Sequence, residues 1–230
     1  MHSDPGKKKI GIMGGTFDPI HNGHLHIAEC ARKEYGLSEI WFIPAGDPYF
    51  KAGKAVTPPE TRLRMTELAV ASQPYFRCSD IELRKSGPTY TAETMEALQK
   101  LYPEHSFYFI IGADSLFQLE CWHTPERLFR STVILCAGRP DENVLTNKEP
   151  NGGSDTELNS EISRLNRKFR AIDCDIRRLH CRPVGISSTM IRKAVSEGRK
   201  IANLVPGPVA EYIMQNGLYL GHPGQGYCGS

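Results

Sequence analysis

Residues 14–24 read GGTFDPIHNGH. Gly14 and Gly15 close a short apolar run, Thr16 and Phe17 follow, and His21 and His24 stand three apart around Gly23. Glycines at a strand end let a ligand come close to the backbone. A helix starting just beyond aims its unpaired N–H groups, and the positive end of its dipole, at that ligand. With His21 in the turn and His24 in the first helical turn, both imidazoles can face one cavity. The combination suits an anion, above all a phosphate. A metal pair is the weaker reading, because paired ligands on a helix stand four apart and no third carboxylate or cysteine is near in sequence. His26 reads as surface.

A second cluster lies far along the chain. Ser187, Ser188 and Thr189 open a helical pattern, with Arg192 within about its first turn. Such a start can hold phosphate oxygens, and it can equally be an ordinary N-cap beside a solvated arginine. Lys51 and Lys54 sit in a loop, where they reach a phosphate or simply solvent. Asp114 ends a strongly apolar strand just after Gly112, whereas Asp18 reads as a turn residue. Trp122 stands in a connecting segment beside His123, free to stack on a flat ring or to pack under a loop. Thr91, flanked by Thr89 and Tyr90, opens another helix, as its cap or as a donor to an anion. Familiar phosphate signatures are missing: GIMGGT is not GxGxxG, and FKAGKA lacks the spacing of a P-loop.

The elements that must position these residues follow from periodicity. Strands are expected at the KKIGIMG run, at 39–44, 75–83, 106–113, 132–137 and 175–181. Helices are expected over 23–35, 59–72, 91–102, from Thr124-Pro125, around Leu158, Ile162, Leu165 and Phe169, and over 186–198 and 206–217. Strands alternating with helices imply a doubly wound, mostly parallel α/β sheet covered on both faces. One domain is expected over 1–220, and a disordered tail over 221–230. The 230 residues carry a net charge of +2, which removes any bulk electrostatic case for nucleic acid or membrane. No apolar run reaches the roughly 20 residues of a membrane span, and the start lacks a signal-peptide core. Seven scattered cysteines without a CxxC suit a reduced, cytoplasmic protein in which each is a small buried filler.

The stretch GGTFDPIHNGH resembles the first signature of the (H/T)xGH nucleotidyltransferase superfamily, in the form typical of bacterial nicotinate-nucleotide adenylyltransferases. ISSTMIR (186–192) resembles that family's carboxyl-terminal signature, and GPTYTAET, IGAD, CWH and NGLY fall in family order between about residues 9 and 220. The resemblance implies a Rossmann-like nucleotidyltransferase fold with carboxyl-terminal helices. It implies transfer of AMP from ATP to nicotinate mononucleotide, with Mg²⁺ carried mainly by ATP. By resemblance, His21, His24 and Arg192 serve the triphosphate. Gly14, Gly15, Thr16, Phe17, Gly112, Asp114, Ser187, Ser188 and Thr189 hold ATP, with no protein metal site. Lys51, Thr89, Tyr90, Thr91, Trp122 and His123 hold the mononucleotide.

Three departures stand out. PYFK occupies Pro48–Lys51 where the family often reads PPHK, His123 stands where it often has Tyr, and Gly185 where it often has Asp. Alternatives are an adenylyltransferase acting on nicotinamide mononucleotide or another phosphorylated small molecule, or a nucleotide-binding domain without catalysis. Oligomeric state, a homo-oligomer included, is left open.

Overall fold

The computed structural model describes residues 6–46, 56–138, 153–181 and 184–220. Six strands form one sheet: β1 (Lys8–Gly15), β2 (Glu39–Pro44), β3 (Phe76–Cys78), β4 (His105–Gly112), β5 (Val133–Ala137) and β6 (Ile176–Leu179). Their order is β3-β2-β1-β4-β5-β6, and every pairing is parallel. Among the described residues eight α-helices accompany them, the last two after β6: α1 (Asn22–Tyr35), α2 (Pro59–Val70), α3 (Thr91–Leu101), α4 (Ala113–Phe117), α5 (Pro125–Ser131), α6 (Gly153–Lys168), α7 (Ser188–Ser196) and α8 (Gly207–Gln215).

A strand alternates its side chains between faces, so a doubly covered sheet needs apolar residues at both parities. In β4, Tyr108 and Ile110 enter one core, while Phe107, Phe109 and Ile111 enter the other. In β2 the split is Ile40 and Phe42 against Trp41 and Ile43. The first core is covered by α1, α2, α7 and α8, through residues such as Ala28, Met65, Ile191 and Ile213. The second is covered by α3 to α6, through Met95, Leu116, Phe129 and Leu165. The reversal of strand order falls between β1 and β4, where the carboxyl ends of an open α/β sheet leave a crevice.

Three expectations are corrected. The third strand stops at Cys78 instead of running to residue 83. The Asp80 carbonyl there takes the N–H groups of Leu83 and Arg84, which curls the chain into a turn. Tyr90, not Thr91, is the N-cap of α3, so Thr91 lies inside the first helical turn. Of the cysteines, Cys136 alone is a fully buried filler among those described, while Cys121 is exposed on a 3-10 turn (Leu119–Cys121). The tail 221–230 and Cys228 lie outside the described residues.

Sequence patterning offered no hint of the residue that ties the strand ends together. Arg62, on α2, is 1% exposed. Its guanidinium donates to the carbonyls of Thr57 (2.9 Å), Thr16 (2.8 Å) and Gly46 (2.9 Å). One planar fork thus fixes the exits of β1 and β2 and the entry to α2. Replacing Arg62 by Met would leave buried carbonyls without a donor. A loss of about 3 kcal/mol or more of stability is expected, read by urea unfolding at neutral pH.

Candidate active site

The β1 exit bends sharply. Phe17 adopts a left-handed backbone (φ 49°) and is buried. Asp18 is also buried, and its carboxylate accepts the Tyr219 hydroxyl (2.7 Å) and the Thr57 N–H (3.3 Å). Both partners are distant in sequence, so Asp18 ties the bend to other segments. The bend delivers His21 to the N-cap of α1. There the His21 N–H donates to His24 Nδ1 (3.2 Å), and the rings stack with centroids 3.6 Å apart. The Phe17 ring meets His24 edge-on at 5.0 Å. Gly23 lets the pair pack closely: a Cβ there would sit 3.0 Å from His21 Nδ1, so the imidazole would have to give by a few tenths of an ångström.

Burial pulls the His21 pKa down to about 4. Burial, and then His21 itself, pull His24 well below the ordinary histidine range. Both rings are therefore neutral at pH 7 in the free protein, and each carries one N–H to donate. The His21 Nδ1 is buried and has no hydrogen-bond partner.

Two cavities open at the carboxyl edge of the sheet. The larger, about 460 Å³, is lined by His21, His24, Gly112, Asp114, Ser187 and Ser188 among others. The smaller, about 270 Å³, is lined by Gly15, Thr16, Thr89, Tyr90, Thr91, Trp122 and His123 among others. Gly14, Phe109, Ser115 and Trp122 border both, so the two adjoin at the strand reversal. A Cβ at Gly112 would meet nothing within 4 Å, consistent with open space over that strand end.

The sequence-expected residues therefore sort into two groups, with some displaced. Gly15 and Thr16, expected with ATP, border the smaller cavity. Ser187 caps α7 by accepting the Met190 N–H (3.2 Å), and Ser188 donates to the Pro19 carbonyl (2.9 Å). Arg192 does not line the larger cavity: it donates to the Asp18 carbonyl (2.7 Å) and to the Thr189 hydroxyl (3.3 Å). The reason is local, since α7 docks its first turn on the buried 18–19 bend and the guanidinium takes the nearest carbonyl. Lys51 and Lys54 lie outside the described residues.

In the smaller cavity, Tyr90 and His123 stack at 4.1 Å, and Trp122 packs edge-on to Phe109 at 6.2 Å. That wall is flat and aromatic. The cavity also holds an acid that sequence reasoning passed over, Glu82. Burial raises its pKa, against hydrogen bonds from the Thr94 and Thr89 hydroxyls and the Gly46 N–H. The Thr94 bond is 2.8 Å. Glu82 is thus engaged in holding the loop ends and the rim of the cavity. A Cβ on Gly46 would lie 2.5 Å from the Glu82 carbonyl, so this approach demands glycine. No helix among the described residues is long and apolar enough to cross a membrane.

Residues 12–194 match the model of the cytidylyltransferase-like family. A Lachnoclostridium phytofermentans protein named "Probable nicotinate-nucleotide adenylyltransferase" is 41% identical over 213 residues, 93% of this chain and all of its own length. A Dehalococcoides mccartyi protein of the same name is 40% identical over 212 residues, covering 92% of this chain and 97% of its own. Among solved structures, Plasmodium falciparum nicotinic acid mononucleotide adenylyltransferase complexed with NaAD superposes with a TM-score of 0.68 at 20% identity. It covers 92% of this chain and 97% of its own, a likeness of fold.

The neutral histidine pair makes stability depend on pH with a definite sign. Between about pH 4 and 6.5, His21 takes up a proton in the unfolded chain but not in the folded one. Its contribution is complete above the unfolded value and is lost as pH falls through that window. Between pH 6.5 and pH 5, wild type should lose about 1.5 kcal/mol more than His21→Asn, in urea titrations run at both pH values.

Proposed function

Since this chain belongs to the cytidylyltransferase-like family and, within it, to the nicotinate-nucleotide adenylyltransferases, we propose that it transfers AMP from ATP to nicotinate mononucleotide. The products are nicotinate adenine dinucleotide and pyrophosphate, a step of NAD biosynthesis. One observation carries the assignment of sites. Two adjoining cavities meet at the β1/β4 strand ends, one with the histidine pair and the α7 start, the other with an aromatic wall.

The reaction joins a phosphate oxygen of the mononucleotide to the α-phosphorus of ATP. The bond from that phosphorus to the β-phosphate bridging oxygen breaks, and its electron pair leaves with pyrophosphate. A phosphate monoester has a second pKa of about 6, so at pH 7 the attacker is largely a dianion already. It needs no general base. What remains is to hold a dianion against a polyanion and to stabilise charge on the leaving group, by position and electrostatics.

In this reading, ATP takes the larger cavity. His21 and His24 donate neutral N–H bonds to the triphosphate, where a desolvated cationic pair would cost too much to hold in the free protein. Gly14 and Gly112 give the nucleotide room, and Asp114 meets the adenosine. Ser187, Ser188 and Thr189 bring the α7 start towards the outer phosphates. For Arg192 to reach them, it must leave the Asp18 carbonyl, so its part belongs to the ATP-bound state. The mononucleotide takes the smaller cavity, its ring against Trp122, Tyr90 and His123 and its carboxylate towards Thr91 and the α3 N-terminus.

Asp114 is the one carboxylate lining the larger cavity among the described residues. That donor set fits Mg²⁺ held mainly by phosphate oxygens and water, and not a dedicated protein cage. When bound, the ion neutralises charge on the triphosphate. The described cysteines are free thiols, which supports placing the reaction in the cytoplasm.

Pyrophosphate release with Mg-ATP and each mononucleotide tests this. Catalytic efficiency should favour the acid over the amide, and an amide preference would overturn the choice of substrate. His24→Ala should lower kcat by roughly 100-fold or more. Equal background rates for wild type and variant would instead mark a binding domain without catalysis.

A further inference from the structure

The outer face of α1 carries a second cluster that adenylyl transfer does not use. His26 and Cys30 are four residues apart, so they share one face of the helix. Their Nε2 and Sγ atoms are 3.7 Å apart. Cys181, just beyond β6, brings its sulfur to 2.7 Å from that of Cys30. All three donor atoms lie within 4.8 Å of one another. We propose that His26, Cys30 and Cys181 form a zinc(II) site that staples α1 to the segment leading from β6 into α7.

The geometry suits zinc in kind and in scale. Two thiolates and one imidazole are borderline-soft donors of the type zinc selects. Zinc bonds of about 2.3 Å to sulfur and about 2.0 Å to nitrogen, at a tetrahedral angle, put those atoms about 3.5 Å apart. The His26–Cys30 separation is already close to this. Two zinc-bound sulfurs stand about 3.8 Å apart, so Cys30 and Cys181 must part by about 1 Å, within reach of a small χ1 rotation. The fourth position is left to water. Binding displaces the two thiol protons to solvent.

The surroundings already hold the Cys181 segment in place. The Tyr35 hydroxyl donates to the Arg178 carbonyl. The Glu34 carboxylate accepts the His180 N–H at 2.9 Å and faces the His180 ring at 2.8 Å. These contacts fix the backbone next to Cys181 without occupying the sulfur. The consequence reaches the site described above only through the scaffold. α1 carries His21 at its N-cap and His24 two residues before His26, and Ser187 caps α7.

The test uses the full chain, reduced and stripped of metal by chelation. Titration with Co²⁺ should give the intense absorption of tetrahedral cobalt with a thiolate charge-transfer band, and Zn²⁺ should abolish it. Cys30→Ser and Cys181→Ser should each weaken that band. The exposed His26→Ala, which leaves both sulfurs and the fold intact, should lower Zn²⁺ affinity at least about 10-fold, the loss even an outer partner of a metal site causes. Zinc at 100 times its Kd should raise the Tm of wild type by about 5 °C or more. A weak octahedral cobalt spectrum overturns the proposal. So does equal Zn²⁺ affinity in wild type and all three variants, or a Cys30–Cys181 disulfide found by mass spectrometry in protein purified under reductant.

Discussion

Between β1 and β4 the chain turns to opposite faces of the sheet. The helix after β1 packs Ala28 and Ala31 into one core, and the helix after β4 packs Leu116 into the other. A parallel sheet whose connections diverge must leave its two central strand ends uncovered, and a crevice opens there. The two adjoining cavities border that gap. Gly14 lies next to the end of β1 and Gly112 ends β4, the histidine pair stands on one bank, and Trp122 and Ser115 reach across from the other.

An uncovered gap has to be kept in shape without a helix over it, and buried polar bonds do that. Arg62 gathers three carbonyls, Asp18 joins Tyr219 to Thr57, and Glu82 holds the rim at Gly46 and Thr94. Buried groups of this kind contribute modest net stability when fully bonded but cost much when one partner is removed. Their usefulness is positional. They fix backbone that carries no regular secondary structure, at the point where ångström-scale errors would separate the two cavities.

The same burial sets the character of the histidines. In water, an imidazole titrates near neutrality and is partly charged. Here desolvation, and for His24 also its neighbour, keep both rings neutral. Neutral rings can stack against one another without repulsion, whereas two adjacent cations would repel.

Much of the fold was legible in the sequence, because it depends on periodicity that short windows carry. Both-parity apolar runs such as FYFII announce a doubly covered strand, and GGTFDPIHNGH places glycines, turn and helix start within eleven residues. Five of the six strands match to within a few residues, and that His21 and His24 face one cavity was inferable from their spacing. What short windows cannot carry is contact between distant segments. Nothing in the pattern of α2 says that Arg62 is buried, since an arginine at that position reads as solvated until three carbonyls converge on it. Nor can spacing tell that Arg192 rests on the Asp18 carbonyl, 174 residues away, or that Cys181 meets Cys30 across 151. Local sequence determined which elements form and which residue types stand at their ends. Only the tertiary structure decided which ends meet, because long-range pairing is settled by how two cores fill on either side of one sheet, and no single segment encodes that.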